Sequence, residues 1–240
     1  SVAAGHPDKI ADQISDSIVD ACLSADPHSR VAVETLVTTN KVVLAGEVTC
    51  AGKIDYEKIA RQTIKKLGYT NPKWGFSDKS EIEVYIHQQS KDIAVGVDDG
   101  GAGDQGIMFG YSCNETPELM PLPIVLAHQL MKNLDQIRES QAISYLRPDG
   151  KAQVVVDYLD GKPHQVSTII MAVPYDPQIS KKQLEQDLWD VVIVPAVKKY
   201  VPKQILDKNK IKLIINGTGA WEIGGPRSEE HTSELQSPNT

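Results

Sequence analysis

The 240 residues carry 25 Lys+Arg against 32 Asp+Glu, a formal net charge of −7, with 40% apolar and 24% charged residues. That balance excludes a disordered chain. Its acidic sign argues against a general nucleic-acid or anionic-membrane binder, while leaving room for a locally basic site. At about 150 residues per domain the length predicts one or two domains. Three cysteines, Cys22, Cys50 and Cys113, stand at no metal-ligand spacing, which argues against a disulfide framework and for a reducing compartment. No apolar run nears the roughly 18 residues of a membrane span, and no signal-peptide pattern opens the chain. A cytoplasmic location is expected.

Ile10, Ile14, Ile18, Ala21 and Cys22 form one helical stripe, with Asp12, Asp16 and Asp20 on the wet side. Asp8 is placed to be the N-cap of that helix or a ligand. Residues 31–38 and 42–50 read as strands joined through Thr39-Asn40-Lys41 as a hairpin. A helix is predicted over 55–67, capped by Asp55, packed through Ile59, Ile64 and Leu67 and stopped by Gly68. Residues 81–87 alternate as a half-buried strand. Residues 88–106 are rich in glycine, alanine and aspartate and read as a loop.

The pattern then restarts. A helix is predicted over about 122–139, with Ile124, Ala127, His128, Met131 and Leu134 as its apolar side. Strands follow at about 152–159 and 165–173, a helix at about 181–200 and a strand at 210–215. The order predicts an α+β fold of repeated two-layer units, each a mixed β-sheet with helices packed on one face.

Both ends of the chain are unusual. It begins at Ser1 and reaches a motif within five residues, so its native start is expected to be absent. Residues 227–240 have no apolar periodicity and read as an adapter-derived, non-native tail; the alternative is a genuine polar tail. On the first reading the native protein continued beyond Pro226.

Four clusters carry chemistry. Gly5-His6-Pro7-Asp8-Lys9 combines a base, a hard oxygen ligand and a cation at a helix start, whose free N–H groups suit phosphate. The alternative is a capped turn with a surface histidine. Glu34 and Glu47 interrupt apolar strands, as buried paired carboxylates or as outward-facing residues on a wet sheet face. Residues 101–106 formally satisfy G-x-G-x-x-G, yet Ile107-Met108-Phe109-Gly110-Tyr111 opens no amphipathic helix. A dinucleotide-dependent dehydrogenase is therefore rejected in favour of an acid-bearing loop over a small ligand, or a plain surface loop. Arg147-Pro148-Asp149-Gly150-Lys151 is a turn into a strand whose lysine reaches a phosphate or is merely solvated.

Together these segments resemble the methionine adenosyltransferase (S-adenosylmethionine synthetase) family. GHPDKIADQISD at 5–16, GAGDQGIMFGY at 101–111, NETPELMPLPIVLAHQL at 114–130, LRPDGKAQV at 146–154 and IGGP at 223–226 carry the likeness, in the family's order. The resemblance implies an N-terminal domain over 1–95, a gating loop and linker over 96–106 and a central domain over 107–226, with a third repeat missing. It implies synthesis of S-adenosylmethionine from ATP and L-methionine, with displacement of triphosphate and its hydrolysis to pyrophosphate and phosphate. It assigns His6 to the leaving oxygen, Asp8 to Mg²⁺ and Glu34 to K⁺. Lys9, Asp104, Asp149, Lys151 and Trp221 fall to ATP, and Glu47, Gln89 and Asp104 to methionine; His6 and Lys151 are the catalytic pair.

The resemblance further implies a homodimer or dimer of dimers with the site at the subunit interface. Two departures stand out. Ala220-Trp221 replaces the family's usual Arg-Phe, and the gating loop between Val97 and Gly103 is several residues shorter. This chain alone is expected not to complete the reaction. The alternative is a non-catalytic partner subunit of the same family.

Overall fold

The structure, a computed structural model, describes residues 1–88, 105–201 and 210–228. Gln89, Asp104, most of the expected gating loop and most of the expected non-native tail lie outside the described residues. The chain forms two compact units, residues 10–110 and residues 1–9 with 111–240.

In the first unit, α1 (Pro7–Ala25), which belongs to it from Ile10 onward, leads to β1 (Arg30–Thr38), β2 (Lys41–Thr49), α2 (Tyr56–Lys66) and β3 (Glu81–His87). The predicted stripe is the buried one. Ile10, Ile14, Ile18 and Cys22 are shut off from solvent, and Asp12, Asp16 and Asp20 are exposed. Each such isoleucine contributes about 1.5–3 kcal/mol by burial.

β1 and β2 pair antiparallel, Thr38 opposite Lys41, which leaves a two-residue turn. Asn40 takes φ 53° there, a conformation that asparagine tolerates better than most residues. β3 adds to β2 in parallel, giving the order β1-β2-β3. Val33, Val42, Leu44 and Val48 are buried in this sheet. Thr35, opposite Leu44 on the buried face, shares a 2.8 Å hydrogen bond with Ser15 of α1. Thr63 of α2 donates to Ser17 of α1 at 3.0 Å. Asp55 caps α2 by accepting from Lys58 N at 3.0 Å, and Gly68 ends it with φ 95°.

The second unit contains α3 (Leu122–Glu139), β4 (Lys151–Leu159), β5 (Lys162–Ala172), α4 (Lys181–Asp187), a π-helical segment (Leu188–Ile193), α5 (Val194–Lys198) and β6 (Lys212–Ile215). β4 and β5 are antiparallel and β6 joins β5 in parallel. The pairing scheme of the first sheet therefore recurs, and the protein is a repeated α+β fold with mixed three-stranded sheets. Leu126, Leu130, Val166, Ile169, Leu188 and Val192 lie at the centre of its core.

Two expectations are corrected. Ala127, Met131 and Leu134 of the expected side of α3 are buried, together with Leu122, Val125, Leu126 and Leu130, but His128 is exposed and Ile124 only half-buried. The apolar residues 122–127 are nearly continuous, so several stripes fit the sequence and tertiary packing selects one. The helix expected over 181–200 is broken into α4, the π-helical segment and α5. Pro195 gives the reason: it has no N–H for the carbonyl four residues back, and its ring crowds that carbonyl. A wider turn absorbs the misfit.

Candidate functional site

The site elements of the second unit start from a strand-like pairing between distant segments. Ala152 N donates to Ser1 O at 2.8 Å, Ala3 N to Gly150 O at 2.8 Å and Gly5 N to Pro148 O at 3.2 Å. Residues 1–5 therefore run antiparallel to 148–152, with Val2 opposite Lys151. Gly5 is required at this approach, because a Cβ there would lie 2.3 Å from the Pro148 carbonyl oxygen. This pairing brings the first and fourth sequence clusters together.

His6 is 1% exposed and sits at the entry to α1. Its Nδ1 accepts from the Asp8 amide at 3.3 Å and lies 3.7 Å from Asp8 Oδ2. The imidazole therefore caps the helix. Asp8 lies in the first turn with its carboxylate exposed, so the capping alternative for Asp8 is set aside. A carboxylate there is favoured by the helix dipole.

Lys9 Nζ donates to the Val2 carbonyl at 2.6 Å, folding the lysine back over residues 1–5. Partial desolvation of the ring, and then the positive charges of the Ser1 amine, Lys9 and Lys132, hold His128 below the usual histidine range although its side chain reaches solvent. Lys151 opens β4 with an exposed side chain.

Asp149 is 2% exposed, and both of its carboxylate oxygens meet backbone amides. Oδ1 accepts from Gly150 N at 2.6 Å and Oδ2 from Gly225 N at 2.7 Å. Gly224 lets that chain come close, since a Cβ there would lie 2.9 Å from Asp149 Oδ2. Asp149 thereby ties the LRPDGK turn to the IGGP segment. Trp221 is half-buried, its carbonyl accepting from Tyr175 N at 3.1 Å.

Sequence reasoning missed Asp135. Its Oδ2 accepts from Ala4 N at 2.8 Å, two residues before His6. Its Oδ1 is buried with no hydrogen-bond partner, and Arg138 reaches it only at 3.8 Å. Burial is the main cause that raises the Asp135 carboxyl above the usual aspartate range. The available signal was an acidic residue among the apolar positions of α3. Its partner, 131 residues away, was not inferable from the pattern.

Glu34 and Glu47 belong to the other unit. Glu34 pairs with Ala45, and Ala32 with Glu47, so both carboxylates lie on the sheet face opposite Val42 and Leu44. The outward-facing alternative describes them: Glu34 is exposed and Glu47 half-buried. His87, opposite Glu47 on β3, shares that face. A cavity of about 270 Å³ lined by Glu115, His164, Gln165 and Tyr200 shares no residue with the predicted set.

Among the described residues no three His, Cys, Asp or Glu side chains converge on a metal position. Mg²⁺ typically takes one or two carboxylates and fills its shell with water and substrate phosphates. An exposed Asp8 at a helix start fits that mode. Glu34 offers one oxygen donor from an open sheet face. No helix among the described residues is long and apolar enough to cross a membrane.

Fold and cluster together define a repeated two-layer α+β protein whose histidine, carboxylate and lysine meet where a helix begins. The chain belongs to the S-adenosylmethionine synthetase family: residues 1–91 match that family's N-terminal domain and residues 99–221 its central domain. An S-adenosylmethionine synthase of Pseudothermotoga lettingae is 48% identical over 247 residues, an alignment covering 95% of this chain and 61% of the relative. The chain thus spans about three fifths of that relative's length.

Proposed function

We propose that the chain carries the ATP-binding part of an enzyme that makes S-adenosylmethionine from ATP and L-methionine, releasing triphosphate that is hydrolysed to pyrophosphate and phosphate. The observation that carries this reading is the buried His6 imidazole beside the exposed Asp8 carboxylate, with Lys9 next in the chain. Methionine sulfur is already a good nucleophile, so alignment with the ribose 5′ carbon matters more than a general base. The departing triphosphate builds charge on its bridging oxygen, and donors fixed in advance stabilise that charge.

In this reading His6 donates a hydrogen bond to that oxygen, and Lys9 and Lys151 neutralise the phosphates. Lys9 exchanges its contact with the Val2 carbonyl for phosphate. Asp8 holds Mg²⁺, which would supply charge neutralisation along the polyphosphate. Asp149 shapes the turn that presents Lys151, and Trp221 stacks on the nucleotide base. Glu47, Gln89 and Asp104 contact methionine, Asp104 also ATP, and Glu34 contributes to a K⁺ site. A second copy of the chain is the expected partner. Exposed Met108 and Phe109, at 90% and 94%, support burial against protein.

The 240-residue chain alone is expected not to turn over, because it spans 61% of its relative. Calorimetric titration of the chain with a non-hydrolysable ATP analogue, with and without Mg²⁺, tests the binding reading. Metal-dependent binding is expected. Its absence would overturn the reading and favour a non-catalytic partner subunit, and turnover at a full-length rate would overturn the inactivity.

A further inference from the structure

Two of the three thiols lie side by side at the far end of α1 from His6. Cys22 is the last stripe residue of α1 and is wholly buried; Cys50 follows β2 and is half-buried. Cys50 Sγ lies 3.7 Å from the Cys22 carbonyl oxygen, close enough for Cys50 to be among the causes that raise the Cys22 thiol. Gly52 N donates to Cys50 Sγ at 3.3 Å.

The loop that carries Cys50 is fixed against the helix end. Ala51 N donates to Asp26 Oδ2 at 3.1 Å, and Asp26 N donates back to Cys22 O at 2.8 Å. A Cβ on Gly52 would lie 2.5 Å from Ala25 Cβ, so only glycine allows the loop to come this near. These contacts hold Cys50 against the end of α1 that carries Cys22. No metal-ligating third residue joins them among the described residues.

From this placement we infer that Cys22 and Cys50 form a reversible oxidation site, with Cys50 as the sulfur attacked by a peroxide and Cys22 as the resolving thiol. The more accessible sulfur is the one a peroxide reaches first. Burial pushes the Cys22 thiol up, and Cys50 beside it adds to the effect, so Cys22 is the poorer first nucleophile.

In the first step the Cys50 thiolate attacks a peroxide oxygen. The O–O bond breaks, Cys50 becomes a sulfenic acid, and the hydroxide that leaves takes up the proton the Cys50 thiol had released, as one water. Cys22 sulfur then attacks Cys50 sulfur. The S–S bond forms, the S–O bond breaks, and the hydroxide leaves with the Cys22 proton as a second water. Two electrons pass from the thiols to the peroxide, and a small thiol reductant restores both. The product joins the last turn of α1 to the end of β2 and closes the loop between residues 22 and 50.

The test treats the 240-residue chain with hydrogen peroxide, blocks remaining thiols with an alkylating agent and maps peptides by mass. The expected result is a Cys22–Cys50 linked peptide lighter by two hydrogens, with Cys113 alkylated, reversed by dithiothreitol. The oxidised chain should also melt at a higher temperature than the reduced one. In Cys22→Ala, Cys50 should proceed to sulfinic acid, while Cys113→Ser should leave the linkage unchanged. Three free thiols after peroxide, or over-oxidised Cys50 with Cys22 still alkylated in the unmodified sequence, would overturn the proposal. So would a linkage through Cys113.

Discussion

The Asp135 carboxylate accepts a 2.8 Å hydrogen bond from the Ala4 amide and so anchors α3 to the strand-like segment that delivers His6. Replacing it with alanine removes that acceptor and leaves the buried Arg138 with one carboxylate fewer. The expected loss is about 1–3 kcal/mol in urea unfolding. Asp135→Asn keeps an acceptor and should lose less. If the alanine variant is as stable as the original chain, the anchor has no energetic weight.

Asp135 also gives a pH signature. Its folded-state value is raised, chiefly by burial. Between the ordinary aspartate range and that raised value the folded state holds more protons than the unfolded state, so this group lowers stability as pH rises through the window. Asp135→Asn should flatten that part of the stability profile. An unchanged slope would show that the carboxyl titrates like an exposed one.

Gly5→Ala is expected to cost about 1–3 kcal/mol by overpacking, because its new methyl would meet backbone rather than a side-chain tip. The Pro148 carbonyl oxygen would lie 2.3 Å away. The urea midpoint should fall, and amide exchange at Gly5 and Ala152 should speed up together. A midpoint at the original value would mean that residues 1–5 do not need this pairing.

Asp149→Asn replaces one of two acceptor oxygens with a donor that faces an amide. The expected cost is about 1.5–3 kcal/mol, from one charge-assisted hydrogen bond lost in a buried setting. Because Asp149 joins the 147–151 turn to Gly225, proteolysis within residues 217–226 should accelerate. Retained stability with weakened ATP-analogue binding would instead mark Asp149 as a direct nucleotide contact.

Lys9→Ala should raise the pKa of His128, since the Lys9 charge is among the causes that lower it. Proton NMR titration of the His128 ring reads this directly. The same variant should weaken inorganic triphosphate binding. A raised His128 pKa with undiminished triphosphate affinity would remove Lys9 from the proposed phosphate contacts.

Much of the fold was legible because local rules and burial agreed. The α1 stripe, the Asn40 turn, the Asp55 cap and the Gly68 stop each follow from periodicity or backbone preference. The face of α3 was legible through Ala127, Met131 and Leu134, while Ile124 and His128 were misplaced on it because an almost unbroken apolar run supports several stripes. The break in the last long helix follows from Pro195, which the apolar pattern concealed. The GHPDK cluster was legible as chemistry, since a base, a carboxylate and a cation adjoin in sequence. Its proximity to Asp135 and its pairing with residues 148–152 were not, because hydrogen bonds spanning some 130 residues leave no local trace.

The antiparallel run of residues 1–5 along 148–152 has a bearing on how the polypeptide comes off the ribosome. Residues 1–5 find their hydrogen-bonding neighbours only once residue 152 has emerged. The intervening hairpin and helices can meanwhile assemble by themselves. Closing this long-separated pair is entropically late, so the histidine at the mouth of α1 should acquire its final surroundings in a slow last phase of maturation.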